Sequence, residues 1–112
     1  DGRTAVIVDD MISTGATVEA AVHVVTSNGA RPDVLVAATH GVLAGPARDV
    51  LGRLPIAHLV LTDTLAFDPD PLPRVEVVSV ARLLADAICG LASPAVPPPL
   101  ARLGLEGIAR HV

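Results

Sequence analysis

Short apolar runs alternate along this chain with stretches of helical periodicity, and that alternation restricts the possible folds more than any other feature of the sequence. Residues 4–9 read as a strand. A helix follows from about residue 17 to residue 28, with Val18, Ala21, Val22 and Val25 forming its apolar stripe, and Asn28-Gly29 is a usual way for a helix to stop. A second strand at 33–39 has the uninterrupted core Val34-Leu35-Val36-Ala37-Ala38. A short helix from residue 45 or 46 to residue 52 comes next, with Pro46 in its first turn, where a missing N–H costs nothing. Strands at 58–61 and 75–78 flank Asp68-Pro69-Asp70-Pro71-Leu72-Pro73, which suits neither a helix nor a central strand and is expected as a rigid extended loop. Ser79 is then read as the cap of a helix carrying Val80, Leu83, Leu84, Ala87, Ile88 and Leu91 on one face.

Successive strands separated by helices are joined by right-handed crossovers, so the fold class is α/β, a parallel sheet with helices on both faces. The composition supports this. Apolar residues make up 51% of the chain but aromatics only 1%, so the core has to be layers of Val, Leu, Ile and Ala, as in buried parallel sheets. Ligands of such sheets lie beyond the carboxyl ends of the strands. Asp9-Asp10, Thr39-His40 and Thr62-Asp63-Thr64 all fall at those ends. From Ser93 the pattern changes to Ser-Pro-Ala-Val-Pro-Pro-Pro and a weak helical segment at 100–109. Residues 1–92 are therefore read as one domain and 93–112 as a Pro-rich tail with a short helix.

Several function classes are disfavoured. The net charge is −4, and the 8 basic residues are all arginines scattered along the chain, which argues against nucleic acid. No apolar run approaches the ~20 residues that span a bilayer, and no signal-peptide pattern is present, so a soluble, cytoplasmic protein is expected. The single Cys89 allows no intramolecular disulfide and is expected to be a small buried hydrophobe on a helix face. His23, His58 and His111 have no metal-ligand spacing with His40.

One segment carries chemistry. In residues 6–17 an apolar strand reaches two carboxylates, Asp9 and Asp10, and passes through Met11-Ile12 into Ser13-Thr14-Gly15-Ala16-Thr17, which opens a helix. Adjacent acids can grip a vicinal diol, while the N–H groups of a small-residue turn converge on a phosphate at the positive end of the helix dipole. Gly15 is expected either to take a positive φ or to let the phosphate approach the main chain. The plainer alternative makes the acids a polar turn and Thr14 or Thr17 a helix N-cap. His40 is open between a hydrogen-bonded structural residue, a nucleotide or pyrophosphate contact and a metal ligand. Asp63 is open between a loop anchor and a substrate contact.

The 6–17 segment resembles the 5-phosphoribosyl-pyrophosphate (PRPP) motif of the type I phosphoribosyltransferase (flavodoxin-like) fold, of which this chain would be a part. Three further stretches, 38–47, 60–64 and 79–88, resemble the ribose-phosphate pyrophosphokinases, which make PRPP from ATP and ribose 5-phosphate. The resemblance implies that Asp9 and Asp10 hold the ribose hydroxyls, that Ser13, Thr14, Gly15, Ala16 and Thr17 cradle the 5-phosphate, and that Thr39 and His40 lie on the nucleotide or pyrophosphate side. It implies Mg2+ as cofactor, with Asp9 and Asp10 acting on it mainly through the diol or through water. Ribose 5-phosphate or PRPP, and ATP in the complete enzyme, are the implied partners; a homo-oligomer is expected separately, because a partial domain exposes a sheet edge and apolar helix faces, and neither nucleic acid nor membrane is expected. At 112 residues the chain is small for such an enzyme, and the ATP-site half is expected to be missing, leaving the isolated chain inactive. Ser13 stands where many pyrophosphokinases carry a third Asp. A PRPP-dependent type I phosphoribosyltransferase and a non-catalytic sugar-phosphate-binding or oligomerisation module are the alternatives.

Overall fold

The computed structural model describes residues 2–70, 72 and 74–92. Four strands and three helices follow one another as β1 (Val6–Ile12), α1 (Ala16–Ser27), β2 (Val34–Gly41), α2 (Ala47–Arg53), β3 (Ile56–Thr62), β4 (Val75–Val78) and α3 (Ala81–Ala92). Backbone contacts divide the chain into two units, Asp1–Ser79 and Val80–Val112. The Pro-rich tail and its short helix lie outside the described residues.

In the first unit all strands are parallel and pair in chain order, β1-β2-β3-β4. Right-handed crossovers between consecutive neighbours must all pass over the same face. The packing agrees: Val18 and Val22 of α1 and Ala47 and Leu51 of α2 share one buried cluster with Val34, Val36 and Ala38 of β2 and Leu59 and Leu61 of β3. Leu72 joins this cluster from the β3–β4 connection, and Phe67 packs against it. Each such side chain contributes on the order of 1.5–3 kcal/mol when fully buried. On the alternate residues of β1, Val6 and Val8 are 62% and 76% exposed.

Local chemistry sets the ends of the elements. Asn28 closes α1, and Gly29, at φ 86°, sends the chain into the left-handed region. The N–H groups of Gly29 and Ala30 then reach back to the carbonyls of Thr26 and Val25 at 3.1 and 3.0 Å, the double bond of a Schellman ending. Arg48 on α2 donates from Nη1 to the carbonyls of Asp68 (2.6 Å) and Asp70 (3.1 Å). Charge-assisted bonds of this kind pin the irregular β3–β4 connection where the Pro-rich sequence predicts an extended loop.

The differences from the sequence reading are local. β1 continues past Asp10 to Ile12 because Met11 and Ile12 pair with His40 and Gly41 and the Ile12 side chain is buried at 1% exposure. The acids are thus inside the strand and not at its tip. β2 and β3 are likewise longer than 33–39 and 58–61. In the second unit α3 buries none of its residues, and Cys89 is exposed. Its expected burial is overturned because helical spacing marks an apolar face without burying it: Leu83, Leu84, Ile88 and Leu91 of the same helix are exposed as well.

Candidate functional site

The turn from β1 into α1 is built by hydrogen bonds that use up its carbonyls. The Leu43 N–H donates to the Ile12 carbonyl at 3.0 Å, and the Ala44 N–H donates to the Ser13 carbonyl at 2.9 Å. In a trans peptide the C=O and N–H point in opposite directions. The N–H groups of Ser13 and Thr14 are therefore turned away from the 43–44 segment, and both residues are exposed. Leu43 makes this contact at φ 49°, a left-handed conformation costly for a residue with a Cβ, and its 8% exposure shows the compensation, burial in the core.

Gly15 occupies the N-cap of α1 at φ 85°, with no side-chain capping bond. The first intrahelical donor is Glu19, bonded to the Gly15 carbonyl at 2.9 Å, so the N–H groups of Ala16, Thr17 and Val18 have no acceptor within the helix. The alternative in which Thr14 or Thr17 caps the helix is thereby corrected: the cap position belongs to a glycine that offers no side-chain oxygen. A Cβ at Gly15 would lie 3.2 Å from Val50 Cγ1, so α2 crowds the glycine as closely as the backbone conformation demands it.

Residues 9–18 line a single cavity of about 310 Å³, within the range of ordinary small-molecule sites. At one end stand the carboxylates. Asp9 is half-buried and its Oδ1 accepts the Asp10 N–H at 2.9 Å, while Asp10 is exposed. The ion pairs among the described residues are Arg31–Asp33 and Arg82–Asp86, so neither acid is neutralised by a cation. Two uncompensated carboxylates at one end and a set of unclaimed N–H groups at the other make the cavity polar in opposite senses along its length.

These carboxylates also bear on the implied magnesium. No group of three or more His, Cys, Asp or Glu side chains among the described residues is placed to hold a metal ion. Magnesium does not require one, because it is usually held by one or two carboxylates, substrate oxygens and waters. Asp9 and Asp10 fit that mode, and the donor set gives no support for an all-protein metal cage.

A second polar group joins the ends of β2 and β3. Thr62 Oγ1 donates to the Thr39 carbonyl at 2.6 Å, Thr64 Oγ1 donates to the same carbonyl at 3.0 Å, and the two hydroxyls lie 2.9 Å apart. His40 Nδ1 lies 2.8 Å from Thr64 Oγ1. The sequence placed Thr39-His40 and Thr62-Asp63-Thr64 at strand ends without linking them. Strand register sets His40 beside Met11, the residue after the acids. Thr39 lines a separate hollow of about 250 Å³ with Val8, Ala37, Val60, Thr62 and Val78, and Asp9 lines both hollows. His40 is not among the described residues lining either one.

A parallel sheet carrying helices, with paired acids on one strand running into a glycine-capped helix, defines an α/β domain of the type I phosphoribosyltransferase kind. Residues 1–93 match the family model of the phosphoribosyl synthetase-associated domain. Ribose-phosphate pyrophosphokinases from Mycobacterium leprae and Streptomyces avermitilis are 44% and 46% identical over 89 and 91 residues, covering 79% and 78% of this chain but 27% of each relative. One from Aquifex aeolicus is 39% identical, covering 79% of this chain and 28% of its own length. The crystal structure of phosphoribosylpyrophosphate synthetase from Mycobacterium smegmatis superposes with a TM-score of 0.73 at 39% identity, over 81% of this chain and 30% of that one. The chain belongs to the ribose-phosphate pyrophosphokinase (PRPP synthetase) family, matching its carboxyl-terminal phosphoribosyltransferase-like region. It spans little more than a quarter of the length of these relatives. No helix among the described residues is long and apolar enough to cross a membrane.

Proposed function

We propose that this chain supplies the ribose-phosphate-binding part of an enzyme that transfers pyrophosphate from ATP to ribose 5-phosphate, forming PRPP. The observation that carries this reading is the single cavity along residues 9–18, acid at one end and rich in unclaimed N–H groups at the other. A sugar phosphate has the complementary order, a diol that donates and a dianion that accepts. The 5-phosphate sits on Ser13, Thr14, Gly15, Ala16 and Thr17, and the 2- and 3-hydroxyls donate to Asp9 and Asp10. Charge-assisted bonds contribute about 1.5–3 kcal/mol each, so several donors account for most of a micromolar to millimolar affinity of about 4–8 kcal/mol.

Held in this way, the anomeric hydroxyl is directed toward the β-phosphorus of ATP; its oxygen forms the new bond as the bond between the α- and β-phosphoryl groups breaks and AMP departs. Such chemistry depends on alignment and on charge stabilisation, and this segment provides the alignment. Asp9 and Asp10 are the residues that would hold magnesium here, indirectly, and the ion would supply neutralisation of phosphate charge. Thr39 and His40 lie on the nucleotide or pyrophosphate side. A cytoplasmic setting and association with further copies of the chain belong to the same proposal.

A second reading, binding of sugar phosphate without turnover by the chain alone, is favoured by its lack of any Lys, because phosphoryl transfer draws on mobile cations. Product analysis separates the readings. Release of AMP from ATP in the presence of ribose 5-phosphate, by the gene product that carries this segment, is the result expected. Base-dependent release of pyrophosphate from PRPP would instead mark a transferase, and binding with neither product would mark a silent module.

A further inference from the structure

The cluster at the ends of β2 and β3 has a countable set of protons. The Thr39 carbonyl can only accept, and both threonine hydroxyls approach it, at 2.6 Å for Thr62 and 3.0 Å for Thr64. Each hydroxyl has one proton to give and two lone pairs. The backbone N–H of Thr64 donates to Thr62 Oγ1 at 3.3 Å, taking up one of the Thr62 lone pairs, and the single Thr62 proton goes to the nearer of its two acceptors, the carbonyl at 2.6 Å and not Thr64 Oγ1 at 2.9 Å. The Thr64 proton has two acceptors in reach, the carbonyl and His40 Nδ1; with it on the carbonyl, where the Oγ1-to-oxygen distance is 3.0 Å, Thr64 Oγ1 can only accept from His40. The nitrogen 2.8 Å away, Nδ1, must then bear the hydrogen. In a neutral imidazole one nitrogen donates and the other accepts, and the bond at one fixes the state of the other. His40 Nε2 is left as a lone pair, and it has no hydrogen-bond partner among the described residues.

We propose that Thr64, backed by Thr62 and the Thr39 carbonyl, is a positioning residue that fixes neutral His40 as the Nδ1–H tautomer, so that Nε2 accepts a hydrogen bond from an O–H or N–H group of the ligand. The ligand half of this inference rests on the reading that His40 faces the nucleotide or pyrophosphate side, and it narrows that reading. A nitrogen lone pair repels a phosphate oxygen and attracts a sugar hydroxyl or an exocyclic amine. His40 therefore recognises the sugar or base of the ligand and not the pyrophosphate. Register pairs it with Met11, the residue that follows the two carboxylates in β1.

The test is long-range proton–nitrogen correlation NMR on the 15N-histidine-labelled chain, at a pH where the spectrum itself reports a neutral ring. The wild type should show His40 Nδ1 at the protonated position and Nε2 at the lone-pair position. Thr64→Val should move both resonances toward their average, and Thr64→Ser should restore the wild-type pattern. A wild-type ring protonated at Nε2, or a Thr64→Val spectrum identical to wild type, would overturn the assignment. This arm uses no ligand, so its failure is distinct from failure of the ribose-phosphate reading. Ribose 5-phosphate, adenosine monophosphate and inorganic pyrophosphate are then added in turn. Displacement of the Nε2 resonance by both assigns the donor to a sugar hydroxyl, and displacement by the nucleotide alone assigns it to the base. Displacement by inorganic pyrophosphate alone, or by none of the three, would refute the acceptor role.

Discussion

Gly15 concentrates three demands in one position. Its φ of 85° lies where residues with a Cβ are strained, α2 stands 3.2 Å from where that Cβ would be, and its peptide opens the helix end assigned to the phosphate. Gly15→Ala is therefore expected to lower stability by about 1–2 kcal/mol in urea unfolding and to weaken ribose 5-phosphate binding as well. A variant of unchanged stability would mean that the turn has no need of the left-handed conformation. At this scale the sequence was informative where residue type carries the signal. Glycine at 15 and paired acids at 9 and 10 could be read directly. The left-handed Leu43 could not, because nothing in the identity of a leucine announces a positive φ; it is imposed by the two bonds that the 43–44 segment makes to the Ile12 and Ser13 carbonyls. The Thr64–His40 contact was equally hidden, since it joins side chains 24 residues apart through strand register.

Among the elements, β2 and β3 are the interior strands of the sheet and β1 is one of its edges. Leu61 is fully buried, and its Cδ1 fills the space where a side chain on Gly41 would begin, 2.8 Å from that position. Leu61→Ala should cost about 2–5 kcal/mol, whereas Val8→Ala, at a site 76% exposed, should stay within about 0.5 kcal/mol. Thermal unfolding of the pair checks the assignment of the covered face, and equal losses would contradict it. All seven elements were legible from periodicity and turn residues, because runs such as Val34–Ala38 and the stripe Val18-Ala21-Val22-Val25 have one clear period each. Their ends were less legible. β1 outruns its apolar run because pairing with His40 and Gly41 continues past the acids. Cys89 was misjudged for a related reason: helical spacing identifies an apolar face but does not say whether anything covers it.

At the scale of the whole sheet, the four strands in chain order put α1 and α2 on one face, with the acids inside β1 and the glycine-capped turn and the Thr39–His40 cluster at the carboxyl ends of β1 and β2. Family membership follows from the comparisons, and the proposed sugar-phosphate reading draws its support from the residues that line one cavity. Much of that site was legible because its parts are contiguous in sequence: residues 9–18 line the cavity without help from distant segments. The supporting shell, drawn from residues 39–44 and 62–64, required the fold. The most direct test is calorimetric titration of ribose 5-phosphate, in the presence of magnesium, into this chain and into its Asp9→Asn/Asp10→Asn variant. Binding at micromolar to millimolar strength by the wild type, lost or reduced at least tenfold (about 1.4 kcal/mol) in the variant, is the outcome predicted; equal binding by both would contradict a site in which the two carboxylates hold the sugar.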